Sequence, residues 1–86
     1  MKKLSLQNFL ETYISDAEIY LEVWDINMQR LVFNGQLLDI KSLEREYQEN
    51  RYEVVCIQPI ASVVEINKKI YENYPVLCIN IDLRRS

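Results

Sequence analysis

Apolar and polar positions alternate through Glu18 to Ile40, EIYLEVWDINMQRLVFNGQLLDI, and the rest of the chain reads as cover for this stretch or its extension. Ile19, Leu21 and Val23 fall on one side of an extended segment, with Glu18, Tyr20, Glu22 and Trp24 on the other. That is the period of two of a strand with one face in a core, and the aliphatic side predicts the core side. After Asp25, the segment Ile26-Asn27-Met28-Gln29 predicts a reversal. Arg30 to Phe33 then resumes the extended chain, with Leu31 and Phe33 on one face and Val32 on the other, which makes a hairpin. Asn34-Gly35 competes for the turn, because Asn-Gly between apolar runs is a strong hairpin signal. A turn there would deprive the first strand of its neighbour, so the single glycine is assigned to a bulge or strand end.

Upstream, Leu6, Phe9, Leu10, Tyr13 and Ile14 recur at helical spacing behind Ser5, a candidate N-cap. They predict a helix that ends near Ser15-Asp16 and packs on the aliphatic face of the hairpin. Downstream, Asp39 can cap a second, short helix through Lys41, Leu43, Glu44, Tyr47 and Gln48. Tyr52 to Gln58 is rich in strand formers and apolar on both faces, as an interior strand is, and Pro59 ends it. Residues Ala61 to Asn73 fit two readings. Ser62-Val-Val-Glu65 is a capping box, with Val63, Ile66 and Ile70 at helical spacing, while Val64, Ile66 and Ile70 also suit a strand; helix is the preferred reading. Asn73-Tyr74-Pro75 closes the segment. Val76 to Leu83 alternates cleanly, with Leu77, Ile79, Ile81 and Leu83 facing in and Val76, Cys78, Asn80 and Asp82 on the other face. The expected fold is a single two-layer α+β domain over residues 1–86. It has a largely antiparallel sheet of three to four strands with two or three helices, in the order α-β-β-α-β-(α)-β.

Composition keeps this picture globular: 86 residues, 49% hydrophobic and 27% charged, with one glycine and two prolines, leave little room for long linkers. Lys2 and Lys3 do not open a signal peptide, because Ser5, Gln7 and Asn8 interrupt the apolar region such a leader requires. No apolar run reaches the length of a membrane span. The expectation is a cytoplasmic protein, in which Cys56 and Cys78 are buried free thiols.

The net charge of −3 is unevenly placed. Glu11, Asp16, Glu18, Glu22 and Asp25 stand against two lysines before residue 26, and beyond it eight acids balance eight bases. Such a distribution excludes the basic footprint of ordinary nucleic-acid binding. The absence of histidine excludes Ser-His and Cys-His nucleophiles and histidine metal sites. One glycine excludes glycine-rich phosphate loops. Acid–base work by Glu18 and Glu22 is formally open, but their spacing is equally that of a solvated strand face. The expectation is a protein that is not an enzyme and needs no cofactor or metal.

One constellation stands out: Glu18, Tyr20, Glu22 and Trp24 on one strand face, with Asp16 and Asp25 at its ends. Aromatics favour interface centres and acids favour rims, so these six residues are the candidate partner-binding site for a basic, partly apolar protein surface. The competing reading places Tyr20 and Trp24 under a helix that covers the second face of the sheet. Alternate strand side chains lie about 6.5–7 Å apart, comparable to successive phosphates. Glu18 and Glu22 could therefore imitate a short run of backbone charge, although −3 is small for a full mimic.

The helix opening Leu6-Gln-Asn-Phe9-Leu10, the strand Ile19-Tyr-Leu-Glu-Val-Trp-Asp25, then Val32-Phe-Asn-Gly35, Leu38-Asp-Ile40 and Leu77-Cys-Ile-Asn-Ile81 together resemble small acidic α+β proteins of phages and mobile elements of Gram-positive bacteria. Anti-CRISPR proteins are of that general type. The resemblance implies a non-enzymatic inhibitor that occupies a basic nucleic-acid-binding surface of a bacterial defence nuclease, such as a CRISPR effector nuclease; it carries over no site residues. The alternative is a self-associating structural or regulatory subunit, a dimer through an exposed sheet edge.

Overall fold

The chain is described by a computed structural model over residues 4–13, 18–43, 47 and 51–83. In chain order come β1 (Leu4–Ser5), α1 (Leu6–Tyr13), β2 (Tyr20–Asp25), β3 (Arg30–Gln36), a 3-10 helix (Leu37–Ser42), β4 (Tyr52–Ile66) and β5 (Lys69–Leu83). The strands form one sheet in the order β1-β4-β5-β2-β3. It is mixed, since β2 pairs antiparallel with β3 but parallel with β5.

This corrects the expected α+β class. The chain is predominantly β; three of the four strand pairings are antiparallel, as expected, but among the described residues the complete helices are one α-helix of eight residues and one 3-10 helix of six. The preferred helix over Ala61 to Asn73 is absent: β4 runs through Pro59 to Ile66, and β5 starts at Lys69. Val63, Val64, Ile66 and Ile70 are β-branched, and extended pairing uses that shape better than a helix does. The reversal is a two-residue turn at Asn67-Lys68, both at positive φ (52° and 64°), a turn whose twist matches a hairpin. Pro59 does not end β4. It lies opposite Leu77, and Pro75 lies opposite Ala61. Prolines have no N–H to give a partner strand, so these pairs turn their nitrogens toward the free edges of the hairpin.

Where the second expected helix begins, the chain forms the 3-10 helix, and Tyr47 within the expected stretch is helical. Asp39 is in the first turn of the 3-10 helix rather than at its cap, which is Gln36. Residues 44–46 and 48–50 of that expected helix lie outside the described ones, as do residues 14–17. The first helix forms from Leu6 to Tyr13, with Ser5 Oγ accepting the Asn8 N–H at 3.2 Å and Leu6 and Phe9 buried. Asp25 pairs with Arg30 across the turn at Ile26 to Gln29, where Gln29 takes φ 54°. The bulge in this hairpin falls at Val32, not at Gly35, because Val23 pairs with Phe33 and Trp24 with Leu31. Leu31 and Phe33 therefore face opposite ways, contrary to their expected common face.

Leu21, Val23, Phe33, Ile79 and Ile81 form the first sheet face, covered by Leu6, Phe9, Leu43 and Tyr47. Each of the large aliphatic side chains buried there contributes roughly 1.5–3 kcal/mol before entropy is counted. Leu83, expected inside, is exposed, and so are Ile57 and Gln58 of the expected interior strand. Beyond Leu77, β4 and β5 continue as an arm with neither outer edge paired among the described residues. A register irregularity between Ser62 and Val64, opposite Asn73 (φ 54°), bends it. Its tip, Glu65 to Asn67, comes round to face Asn34 to Gln36 and Asp39 across a cleft of about 260 Å³. Tyr20, Val64 and Val76 are buried on its concave side, with Ile60, Tyr71 and Tyr74 packed against them.

Among the described residues Asp25 is the one charged side chain that is buried, at 0% exposure. Oδ1 accepts the N–H groups of Asn27 at 3.0 Å and Met28 at 3.2 Å, and Oδ2 accepts the Tyr47 hydroxyl at 3.0 Å. Burial first, then the bond to Asp25 and its charge, push the Tyr47 hydroxyl up to about 12. The folded state thus holds a proton that an unfolded tyrosine releases near pH 10, so this contribution is complete below about pH 10 and lost as pH rises through 12. Tyr47→Phe leaves a buried carboxylate oxygen without its donor and is expected to cost about 1–3 kcal/mol in urea unfolding at neutral pH. The variant should also lose stability less steeply than wild type between about pH 10 and 12.

Candidate interaction surface on the open face of the sheet

Strand register builds the second face row by row. Trp24 stands opposite Leu31 on β3 and Asn80 on β5, with Cys56 beyond. The next row is Asn34, Glu22, Cys78 and Gln58. Then come Gln36 and Tyr20, beside Val76 and Ile60. The apolar side chains that the two described helices do bury, Leu6, Phe9 and Leu10 of α1 with Leu37 and Ile40 of the 3-10 helix, pack on the opposite face. The expectation of a helix over Tyr20 and Trp24 is therefore not met among the described residues; what covers Tyr20 is the bent arm.

The six candidate residues are split by this arrangement. Glu18 is exposed ahead of β2, its carbonyl accepting the Gln36 amide at 3.2 Å. Tyr20 is buried, edge-on to Tyr74 at 6.2 Å. Glu22 and Trp24 are half-buried on the open face, where the indole N–H donates to Glu22 Oε1 at 2.5 Å. Asp25 points into the core and is withdrawn from any surface. Asp16 lies outside the described residues. What comes together is thus Trp24 with Glu22, not a row of acids.

The residues that join them were not foreseen: Leu31, Asn34, Cys56 and Gln58. Leu31 is 40% exposed beside Trp24. A shallow concavity of about 470 Å³ runs from Trp24 and Gln29 to Gln58, Cys78 and Asn80. Cys78 and Asn80 were placed on this side of their strand by alternation, but nothing local in the sequence announces the parallel pairing that brings them beside Glu22 and Trp24.

Chemically the surface is suited to contact. Trp24 and Leu31 offer apolar area, three amides offer donors and acceptors, and Glu22 is the single charge in the first two rows. Among the described residues no group of three or more Cys, Asp and Glu could hold a metal, and no helix is long and apolar enough to cross a membrane. The two thiols are free but unlike: Cys78 is buried, and Cys56 is exposed, against the expectation that both are inside. Cys56 lies on β4 where the strand has lost its β1 neighbour. Burial first, then the nearby Glu22 and Cys56, push the Cys78 thiol up. A thiol reagent applied to the native protein at mildly alkaline pH should modify Cys56 fast and Cys78 slowly, and unfolding should make the two rates converge. Equal rates in the folded state would show that this face is not packed as described.

Comparison with protein-family models, with curated proteins and with solved structures found no match.

Proposed function

We propose that this chain is a non-enzymatic protein-interaction domain that docks a basic, partly apolar partner on the open face of its sheet. The observation that carries the reading is the pairing of Trp24 with Glu22 on a face left uncovered by both described helices. An indole already fixed by a hydrogen bond to Glu22 of its own strand loses little freedom on binding, which favours it as an anchor. The carboxylate beside it sets the sign of the partner. In our reading that partner is the nucleic-acid-binding surface of a bacterial defence nuclease, as the resemblance to anti-CRISPR proteins implies, and the domain inhibits by occupying it. Contact through an aromatic anchor and amides, with one central charge, describes this surface better than phosphate imitation.

The experiment is a cleavage assay with purified, guide-loaded CRISPR effector nucleases, to which the chain is added. Inhibition is expected for at least one of them, and none at large molar excess over a broad panel would sink the inhibitor reading. Two variants locate the contact. Trp24→Ala should weaken binding by about 2 kcal/mol or more, chiefly through faster dissociation. Half-buried Trp24 sits outside the main core, so the isolated variant should lose less stability than the roughly 3–5 kcal/mol of a core aromatic truncation. Glu22→Gln keeps an acceptor for the indole but removes the charge, and should slow association and flatten its salt dependence.

A further inference from the structure

Cys56 and Cys78 belong to different strands, and the β4–β5 register makes them diagonal neighbours. Cys56 stands opposite Asn80 and Cys78 opposite Gln58, so the two thiols project from adjacent rows on the same side of the sheet. The Cys78 sulfur leans toward the row of Cys56, lying 4.0 Å from Asn80 Oδ1. The thiols also sense each other, since Cys56 is among the groups that raise the Cys78 thiol, after burial and Glu22. One is accessible and the other sheltered: Cys56 is exposed and Cys78 buried.

In a regular ladder the Cα atoms of such a diagonal pair stand about 7–8 Å apart, whereas most disulfides span at most about 6.8 Å. Closing the gap takes a shift of roughly 1 Å, and β4 can give it. Its register slips between Val54 and Cys56, and among the described residues β1 pairs with it no further than Val54. Cys56 therefore sits beside a bulge, where the strand bends most easily. We propose that Cys56 and Cys78 are a reversible dithiol–disulfide pair, closed across β4 and β5 by exchange with a small-molecule disulfide of the glutathione type.

Exposure makes Cys56 the entry point. Its thiolate attacks one sulfur of the small disulfide, and the other half leaves as a thiolate. Cys78 then gives its proton to solvent and attacks the Cys56 sulfur of the mixed disulfide, which expels the second small thiolate. Two protein thiols become one disulfide, and one small disulfide becomes two thiols. Burial holds the proton on Cys78, so the second exchange is the slower one and quickens as pH rises. Position compensates for this. A thiol fixed on the adjacent strand acts at an effective concentration on the order of millimolar or more, well above that of a second chain in micromolar solution. A bridge at the limit of disulfide geometry is strained and hence readily reduced. Cys78 lines the same concavity as Trp24, so closure alters that surface; the pair itself needs no partner there and is independent of the docking proposed for it.

In the test, native protein at micromolar concentration is incubated with glutathione disulfide at mildly alkaline pH, quenched with acid and weighed intact. The expected product is a monomer lighter than the reduced chain by two hydrogens, free of bound glutathione and returned to the reduced mass by dithiothreitol. Cleavage after Lys68 and Lys69 separates the two cysteines, so the bridge should appear as a Cys56 peptide and a Cys78 peptide joined until reduction. Cys78→Ser should stop at one glutathione on Cys56, and Cys56→Ser should resist the reagent until it is unfolded. The bridged wild type should keep the circular dichroism of the reduced sheet. A native chain that stays fully reduced, that holds glutathione on Cys56 without closing, or that links only to a second chain overturns the proposal. So does a bridge that forms only after unfolding in urea, or one whose closure unfolds the sheet.

Discussion

The rest of the structure depends on one buried carboxylate. An ion taken out of water costs several kcal/mol unless its lone pairs are met, and Asp25 meets this cost with three donors drawn from two parts of the chain. Two are backbone N–H groups of its own turn, which set where the chain reverses and hence the pairing of Asp25 with Arg30. The third is the Tyr47 hydroxyl. Its ring packs against Tyr52 at 4.8 Å and lies under the Arg30 guanidinium at 5.6 Å. One residue further, the Ile26 N–H donates to the Ile81 carbonyl at 3.0 Å and fastens the same corner to β5. The Asp25 side chain thus joins the hairpin to the segment that lids the core, and the neighbouring backbone bond ties the same corner to β5.

That corner also determines which face of the sheet is left open. Because Asp25 is odd-numbered like Leu21 and Val23, Tyr47 closes over their side, and Glu22 and Trp24 remain on the other. β2 is hydrogen-bonded on both edges, so it is a rigid platform for these two. The arm begins beyond the N-terminal end of β2, which pairs with Leu77: without β2 alongside, β5 keeps only β4, and the local irregularity bends the pair over Tyr20. One bent hairpin therefore produces both a concave side that finishes a small second core and a convex side whose Val63 and Ile70 are exposed.

Much of this was legible in the chain where the signal is local. Alternation placed Ile19, Leu21 and Val23 together, found the turn at Ile26 to Gln29, and put Ile79 and Ile81 inside. Ser5 announced α1. The failures share a cause, which is that the deciding interaction is distant in sequence. Ser62 to Glu65 carries a capping pattern, but thirteen cross-strand pairs between β4 and β5 outweigh it. Pro59 reads as a terminator because its outward orientation is known only once Leu77 lies opposite. The β2–β5 pairing joins residues more than fifty positions apart, and no periodicity within either strand encodes the parallel direction.

The acidic run before residue 26 shows how little a charge pattern says until side-chain parity and packing are known. Read as a row, Glu18, Glu22 and Asp25 make an anionic strand. Folded, they do three separate things. Asp25 is consumed by the core, Glu22 fixes an indole on the open face, and Glu18 sits ahead of the strand with its carbonyl on Gln36. A field built from evenly spaced carboxylates would act at long range and be screened within about a Debye length of roughly 8–10 Å. A single carboxylate against a tryptophan acts at contact, where it selects a cation that also has apolar area to cover, as the stem of a lysine or arginine has. The binding chemistry of this surface therefore follows from the pairing across Glu22 and Trp24, not from the net charge of the chain.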